Sequence, residues 1–264
     1  MILTVGCTKP DNPNGNEIPP EGALPHAFSV SPTKKVYFAK GNLQYRASTN
    51  TWRFAENQWD TIGLSNQNRS ATYEGWIDVF CYGSSGYNGA KPYEFYDEND
   101  VFSIIDQDDI AGTNYDWGVY NPISNAGNKV GLWRTLTYEE LEYLLYERAF
   151  IGYPFGLCNL KISDSKEIVG VYILPDKCNF YNDGYPSSNM IDMSKTELET
   201  LGAVFLPCNI YYHGDLSVYI WGSSRNQFSW GNAPVDLEFT LDYLWPPQAL
   251  NRHHGGVRLV CDCN

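Results

Sequence analysis

The stretch YIWGSSRNQFSWGNAPVDLEFTLDYLWPPQALNRHHGGVRLV, residues 219–260, carries the clearest structural pattern of the chain. It opens with a predicted aromatic-Ser turn. From residue 235 to residue 241 apolar and polar side chains alternate strictly, and this period of two predicts a half-buried β-strand. In that strand Asp236 and Glu238 should point away from Leu237 and Phe239. An aromatic and proline-rich loop follows, then a Gly-Gly pair and a last short apolar strand over residues 257–260.

The same stretch holds many large side chains that a hydrophobic core does not require. Tyr, Trp, Arg and His on a rigid frame suit binding, because large anchoring side chains lose little conformational entropy when they are ordered. We therefore predict a ligand-binding surface over residues 225–254, with these candidate contacts: Arg225, Asn226, Phe228, Trp230, Asn232, Asp236, Glu238, Tyr243, Trp245, Asn251, His253 and His254.

Length and composition indicate a folded protein that does not bind nucleic acid. The 264 residues can bury a sizeable core, and 43% of them are hydrophobic and 15% aromatic, which is too apolar for a disordered chain. The formal net charge is −13 and no basic stripe is present, so nucleic acid is not an expected partner. No apolar run is long enough to predict a transmembrane helix.

The N-terminus predicts a lipid anchor and a tether. Residues 1–7 read as the remnant of a bacterial lipoprotein signal, with Cys7 as the lipidated residue after a small side chain. Residues 8–27 are rich in Pro, Asn and Gly and predict a flexible linker. We expect one domain over residues 28–264, attached to the membrane through the lipid alone.

Six further cysteines leave two alternatives open. In an exported protein an even number indicates disulfides, and a tail cysteine such as Cys261 could pair with the body at Cys208. The other reading is buried free thiols. The six are Cys81, Cys158, Cys178, Cys208, Cys261 and Cys263.

The remaining pattern predicts an α+β fold with a mostly antiparallel sheet, two short helices and long ordered loops. Early strands are expected over residues 28–31, 35–38, 43–45 and 52–54, and later ones over 167–174 and 203–206. Residues 60–130 show little periodicity, and their many aromatic side chains predict a second small core. Two capping boxes, Thr137 with Glu140 and Ser194 with Glu197, predict where the two helices begin.

No motif for catalysis, metal or cofactor binding stands out. The acidic loop over residues 106–109 fails the EF-hand pattern, because Ile110 and Ala111 occupy positions that need a ligand and a glycine. The histidines, including the adjacent His253 and His254, lack the spacing of a zinc site. No G-x-S-x-G nucleophile motif is present. We expect a non-enzymatic protein without cofactor.

Several segments resemble one family. Trp221-Gly-Ser-Ser224, Leu237-Glu-Phe239 and Gly256-Val-Arg-Leu-Val260 resemble the signposts at the end of C-type-lectin-fold domains, of the type found in Bacteroides surface proteins and related in fold to the formylglycine-generating enzyme. Further similar segments are residues 36–45, 52–59, 115–121, 133–137 and 204–207. The resemblance covers residues 28–262 and implies a C-type-lectin-like fold and a place on the outer membrane or cell surface.

The resemblance also frames the functional alternatives. Variable proteins of diversity-generating retroelements share this fold and vary this C-terminal segment, which implies a protein or glycan ligand at residues 225–254. The enzymatic relatives use two cysteines separated by four residues, whereas Cys261 and Cys263 are separated by one, which weighs against an oxidase. A phage receptor-binding protein and a structural stalk subunit remain the other readings. The oligomeric state is left open.

Overall fold

A computed structural model describes residues 18–94, 109–150, 152–176, 178, 180, 190–208, 217–228, 231–240, 248–249 and 254–263. The two ends of the described chain meet in one sheet. Strand β1 (Ala23–Ser29) pairs antiparallel with β2 (Lys35–Ala39), and β2 pairs on its other side with the C-terminal strand, residues Val260–Asp262. The fold therefore begins earlier than the predicted start at residue 28. The last strand begins at residue 260, where residues 257–260 were predicted.

The predicted early hairpin is present. Strand β3 (Leu43–Arg46) pairs antiparallel with β4 (Thr51–Phe54) across a 3₁₀ turn at Ala47–Thr49. Further 3₁₀ turns lie at Gly63–Asn68 and Tyr87–Gly89. A single β-bridge between Tyr45 and Ile77 joins the long loop to this hairpin.

A four-stranded sheet forms the middle of the chain. It contains β5 (Phe155–Ser163), β6 (Lys166–Ile173), β7 (Ile191–Ser194) and β8 (Val204–Pro207), in the order β7-β5-β6-β8. Only the β5–β7 pair is parallel among these four strands. Both faces of the sheet are covered, because Val171 and Leu206 join one hydrophobic cluster while Tyr172 and Phe205 join another. Strands β5 and β7 were not predicted.

The C-terminal part forms a third sheet. Strand β9 (Ser217–Phe228) pairs antiparallel with β10 (Gly231–Thr240), and β10 pairs with β11 (Gln248–Ala249). The last strand, Val260–Asp262, is β12 in this order. The predicted strand over residues 235–241 thus lies within β10. Strand β9 replaces the aromatic-Ser turn that the sequence predicted.

The described residues contain three short α-helices, where two were predicted. These are α1 (Trp117–Tyr120), α2 (Tyr138–Glu142), which continues as a π-helical turn over Tyr143–Glu147, and α3 (Lys195–Leu201). Both predicted capping boxes are confirmed: the Thr137 hydroxyl accepts from the Glu140 N–H at 3.3 Å, and the Ser194 hydroxyl accepts from the Glu197 N–H at 3.2 Å.

An ion-pair network joins the cap of α2 to β12. Arg134 binds both carboxylate oxygens of Glu140, at 2.6 and 2.8 Å, and donates to Asp262 at 2.6 Å. Lys34 adds a contact to Glu140 at 2.9 Å. Because Glu140 is also the third residue of the capping box, the start of α2 is fixed both locally and by the C-terminal strand.

The second core predicted for the long loops is confirmed. Ile77, Phe80 and Trp117 from these loops are buried with Phe54 and Trp133. Phe95, Tyr96 and Phe102, which were also expected there, lie outside the described residues. The molecule is an α+β protein with mostly antiparallel sheets, and its described part contains no helix long and apolar enough to cross a membrane.

Of the two alternatives left open for the six cysteines after residue 80, the structure agrees with the one without disulfide bonds. The structure shows no disulfide bond at any of these six residues: Cys81, Cys158, Cys178, Cys208, Cys261 and Cys263. Burial raises the pKa of Cys158, Cys208 and Cys261 to about 12, because an apolar environment disfavours the thiolate. These three therefore act as small hydrophobic side chains.

Candidate functional site

The segment that holds the predicted binding residues enters through a tightly bonded part of β9. The Trp221 indole N–H donates to the Phe80 carbonyl at 2.9 Å. The Ser223 N–H and hydroxyl both donate to the Leu136 carbonyl, at 2.8 and 3.0 Å. The Ser224 hydroxyl accepts from the Tyr138 N–H at 3.1 Å, so it satisfies a free donor at the start of α2. Each polar atom of this entry is thus tied to the core.

Ser223 also receives the long loop. Its carbonyl accepts from the Ile110 and Ala111 N–H groups at 2.8 and 3.2 Å and from the Tyr82 hydroxyl at 2.9 Å. Burial raises the pKa of Tyr82, so the phenol stays protonated and remains a donor. The Arg225 N–H then donates to the Asp109 carboxylate at 2.5 Å, which is the last described link between the loop and β9.

The segment returns to the core beside its own entry. The Trp221 N–H donates to the Gly256 carbonyl at 3.0 Å, and the Gly256 N–H donates to the Tyr219 carbonyl at 2.8 Å. Phe80 and Gly255 exchange two main-chain hydrogen bonds of 2.9 and 3.0 Å. A Cβ at Gly255 would lie 3.0 Å from the Trp221 indole nitrogen, so the glycine permits this close approach. The chain just before residue 225 and the chain just after residue 254 are therefore held side by side on the core.

Arg258 holds the return strand from within the core. Its side chain is 2% exposed and donates four hydrogen bonds to neutral oxygens. The acceptors are the Asn42 side chain at 2.9 Å and the main-chain carbonyls of Ala39, Gln58 and Phe205 at 3.2, 3.1 and 3.0 Å. One guanidinium thus joins the return strand to three other segments, around residues 39–42, 58 and 205. The sequence pointed to this residue only through the family resemblance and did not predict its role in the core.

A buried carboxylate, Asp116, helps to position the chain that binds Ser223. Asp116 caps α1 by accepting from the Gly118 N–H at 3.2 Å, and it accepts from the Thr135 N–H and hydroxyl at 3.0 and 2.8 Å. This fixes the chain just before Leu136, whose carbonyl receives Ser223. Burial raises the pKa of Asp116 to about 6, although the donors of Thr135 and Gly118 act in the opposite direction.

The predicted exposure of Asp236 and Glu238 is wrong. Asp236 is 1% exposed and Glu238 is 7% exposed, and Glu238 accepts a hydrogen bond from the Tyr219 hydroxyl at 3.2 Å. Between Pro234 and Phe239 both faces of β10 are buried, because the polar face packs within the fold instead of facing solvent. The period of two was read correctly as a strand, but the inference that its polar face is free to bind a ligand fails.

The other predicted contacts divide into two groups. Arg225 and His254 are half-buried at the two ends of the segment, and the backbone of Asn226, Phe228 and Asn232 lies in β9 and β10. Asn226 pairs with Ala233, and Asn232 pairs with Gln227. The remaining predicted residues lie outside the described residues: Trp230, Tyr243, Trp245, Asn251, His253 and the lipidation candidate Cys7.

A thiol–imidazole contact at the end of the segment was not foreseen. The Cys81 sulfur lies 3.7 Å from Nδ1 of His254 and 3.6 Å from the Glu94 carbonyl. The bridge between Phe80 and Gly255 creates this contact, because in an antiparallel bridge the next residue on one chain faces the preceding residue on the other. Cys81 is 3% exposed, which leaves the sulfur little access to a substrate.

The described residues contain no group of three or more His, Cys, Asp or Glu side chains that could hold a metal ion. Most of the acidic loop over residues 106–109 lies outside them. Comparisons with protein-family models, with curated proteins and with solved structures find no match for this chain.

Proposed function

We propose that this chain is a non-catalytic ligand-binding protein with a C-type-lectin-like fold, held at a bacterial outer membrane by a lipid on Cys7, and that residues 225–254 contact a protein or glycan ligand. One observation carries the proposal: the main-chain bonds among Trp221, Gly255, Gly256 and Phe80 close the base of this segment. With this base closed, the side chains of the segment other than the buried ones of β10 can vary without cost to the core, which is how binding loops on rigid scaffolds work.

The composition of the segment supports the same function. It contains Trp230, Tyr243, Trp245 and His253, and aromatic side chains dominate the energetics of protein and glycan recognition. Arg225 lies half-buried where the segment leaves the core, with its main-chain N–H held by Asp109. The ligand surface proposed here excludes Asp236 and Glu238, since both are buried.

Binding screens with matched variants test the proposal. The wild-type protein is applied to a glycan array and to an array of purified extracellular proteins, and affinity for each hit is measured with Trp230→Ala/Trp245→Ala and with Leu64→Ala/Val130→Ala. The control pair removes large side chains that are 66% and 55% exposed outside the segment. If each tryptophan contributes about 2 kcal/mol, the first variant should bind about a thousandfold more weakly. Unchanged affinity in a folded Trp230→Ala/Trp245→Ala protein would refute the assigned surface.

Sequencing of this gene across isolates tests whether the segment is diversified by a retroelement. We expect substitutions to cluster in the codons for residues 225–254 and to spare Trp221, Gly255, Gly256 and Arg258, because those residues form the frame. An invariant 3′ end without a neighbouring template copy would refute diversification and leave a protein of fixed specificity.

A further inference from the structure

The β3–β4 hairpin places two arginines against one tryptophan. The guanidinium carbons of Arg46 and Arg53 lie 4.3 and 3.8 Å from the centroid of the Trp76 ring. The register explains the cluster. Arg53 pairs with Gln44, two residues from Arg46 on the same strand, so both arginines share one face. The Tyr45–Ile77 bridge brings Trp76 next to Arg46.

No carboxylate of the described chain forms an ion pair with either guanidinium. The two acidic groups whose charges act on Arg53 make their close contacts elsewhere: Glu56 binds Lys40 at 3.0 Å, and Asp60 accepts from the N–H and the side-chain amide of Asn57 at 3.0 and 2.9 Å. Arg53 donates through Nε to the buried Gln44 side chain at 2.9 Å, and this bond fixes the orientation of the guanidinium. The two terminal nitrogens of Arg53 have no acceptor among the described residues. The Nε of Arg46 is buried and has no hydrogen-bond partner.

Two other arginines show what a structural role looks like here. Arg258 makes four hydrogen bonds, and Arg134 binds two carboxylates. Arg46 and Arg53 instead repel each other. Burial lowers the pKa of Arg53, and the charge of Arg46 lowers it further against the attraction of Glu56 and Asp60. An anion between the two would relieve this repulsion and supply the missing acceptors.

We propose that Arg46 and Arg53, ordered by Trp76 and Gln44, form a second binding site that takes an oxyanion: a carboxylate, sulfate or phosphate group carried by a ligand. Each guanidinium carbon lies within 4.3 Å of the same ring centroid, so their separation is less than twice that distance. Two guanidinium groups within about 8 Å of each other can share one oxyanion when their terminal nitrogens converge on it. Since the chain carries a net charge of −13, its overall field repels anions and the attraction must be local.

Nuclear magnetic resonance on ¹⁵N-labelled protein tests this site with simple anions. Sodium sulfate, sodium phosphate and sodium acetate are titrated separately at pH 7, with sodium chloride holding the ionic strength constant. The indole N–H signal of Trp76 is identified from its loss in Trp76→Phe. We expect a saturable shift of this signal with at least one anion. Acetate distinguishes a carboxylate ligand from the tetrahedral sulfate or phosphate groups.

Variants separate the site from general charge effects. Arg46→Gln and Arg53→Gln should each weaken anion binding at least fivefold, and Arg53→Lys should weaken it less because it keeps the charge but loses the planar fork. Lys161→Gln removes one positive charge from an exposed ion pair with Asp192 and should leave binding unchanged. The other indole signals report whether each variant is folded. A shift that fails to saturate with all three anions, or that persists in folded Arg46→Gln/Arg53→Gln, would overturn the proposal.

Discussion

Replacing Arg258 with methionine should destabilise the fold by about 4 kcal/mol. Methionine keeps much of the apolar stem but removes the guanidinium that bonds to Asn42, Ala39, Gln58 and Phe205. These four oxygens belong to three segments and are held in place by the surrounding fold. They cannot turn to solvent after the substitution, so the acceptors lose their donor while remaining buried.

The magnitude follows from two opposing effects. Burial lowers the pKa of Arg258 from the usual value of an arginine to about 9, which still leaves it charged at neutral pH. At about 1.4 kcal/mol per pKa unit, this shift corresponds to an unfavourable contribution of about 5 kcal/mol. Four hydrogen bonds from a charged donor, at roughly 1.5–3 kcal/mol each, contribute roughly 6–12 kcal/mol in favour of the fold. The hydrogen bonds outweigh the burial cost, and about 4 kcal/mol is the middle of the resulting range.

Urea denaturation under reducing conditions measures this difference, provided that the slope with denaturant stays constant. Arg258→Lys keeps the charge with three donors and should lose about half as much stability. Lys161→Met removes the same charge from an exposed side chain and should leave the midpoint unchanged. The reasoning would be refuted if the free energy of unfolding of Arg258→Met lay within roughly 1 kcal/mol of wild type, which is about the contribution of one hydrogen bond. The cost of burying the charge would then cancel the hydrogen bonds that it makes, as happens in some buried ion pairs.

Three further predictions concern the frame and its helices. Gly202 has φ of 65°, and a Cβ there would lie 2.1 Å from the His26 ring, whereas at Gly63, where φ is 59°, nothing lies within 4 Å of such an atom. Gly202→Ala should therefore lower the midpoint of thermal unfolding more than Gly63→Ala. Equal midpoints would contradict the proposed clash. Glu140→Gln removes the carboxylate that joins the α2 cap to β12, and urea titration should show that the free energy of unfolding falls by about 2 kcal/mol. An unchanged midpoint would mean that the ion-pair network does not stabilise the fold. Burial raises the pKa of Asp116 from 3.8 to about 6, so the folded state holds this proton more tightly than the unfolded state. The free energy of unfolding should therefore fall by up to about 3 kcal/mol as pH rises from about 4 to about 6. Asp116→Asn should reduce this pH dependence, and an unaltered slope would exclude Asp116 as its source.

The sequence predicted secondary structure correctly where the interactions that stabilise an element lie within the same short stretch. The capping boxes at Thr137 and Ser194 begin α2 and α3, because a hydroxyl and a carboxylate three residues apart satisfy the helix end without help from the rest of the fold. The β3–β4 hairpin formed as expected for the same reason. Strand β5 was missed because its partners β6 and β7 supply the hydrogen bonds, and Gly152 and Pro154 just before it resemble a loop.

The sequence by itself determined the strand and helix signals, the aromatic second core and the segment whose composition suits binding. Only the tertiary structure decided which polar side chains of that segment are available, because exposure depends on what covers each face of a strand: Asp236 and Glu238 follow the alternation of a surface strand and are nevertheless buried. The tertiary structure also brought Trp221 to Gly256 and Arg46 and Arg53 to Trp76. Those contacts join residues distant in the chain, and no local propensity encodes them.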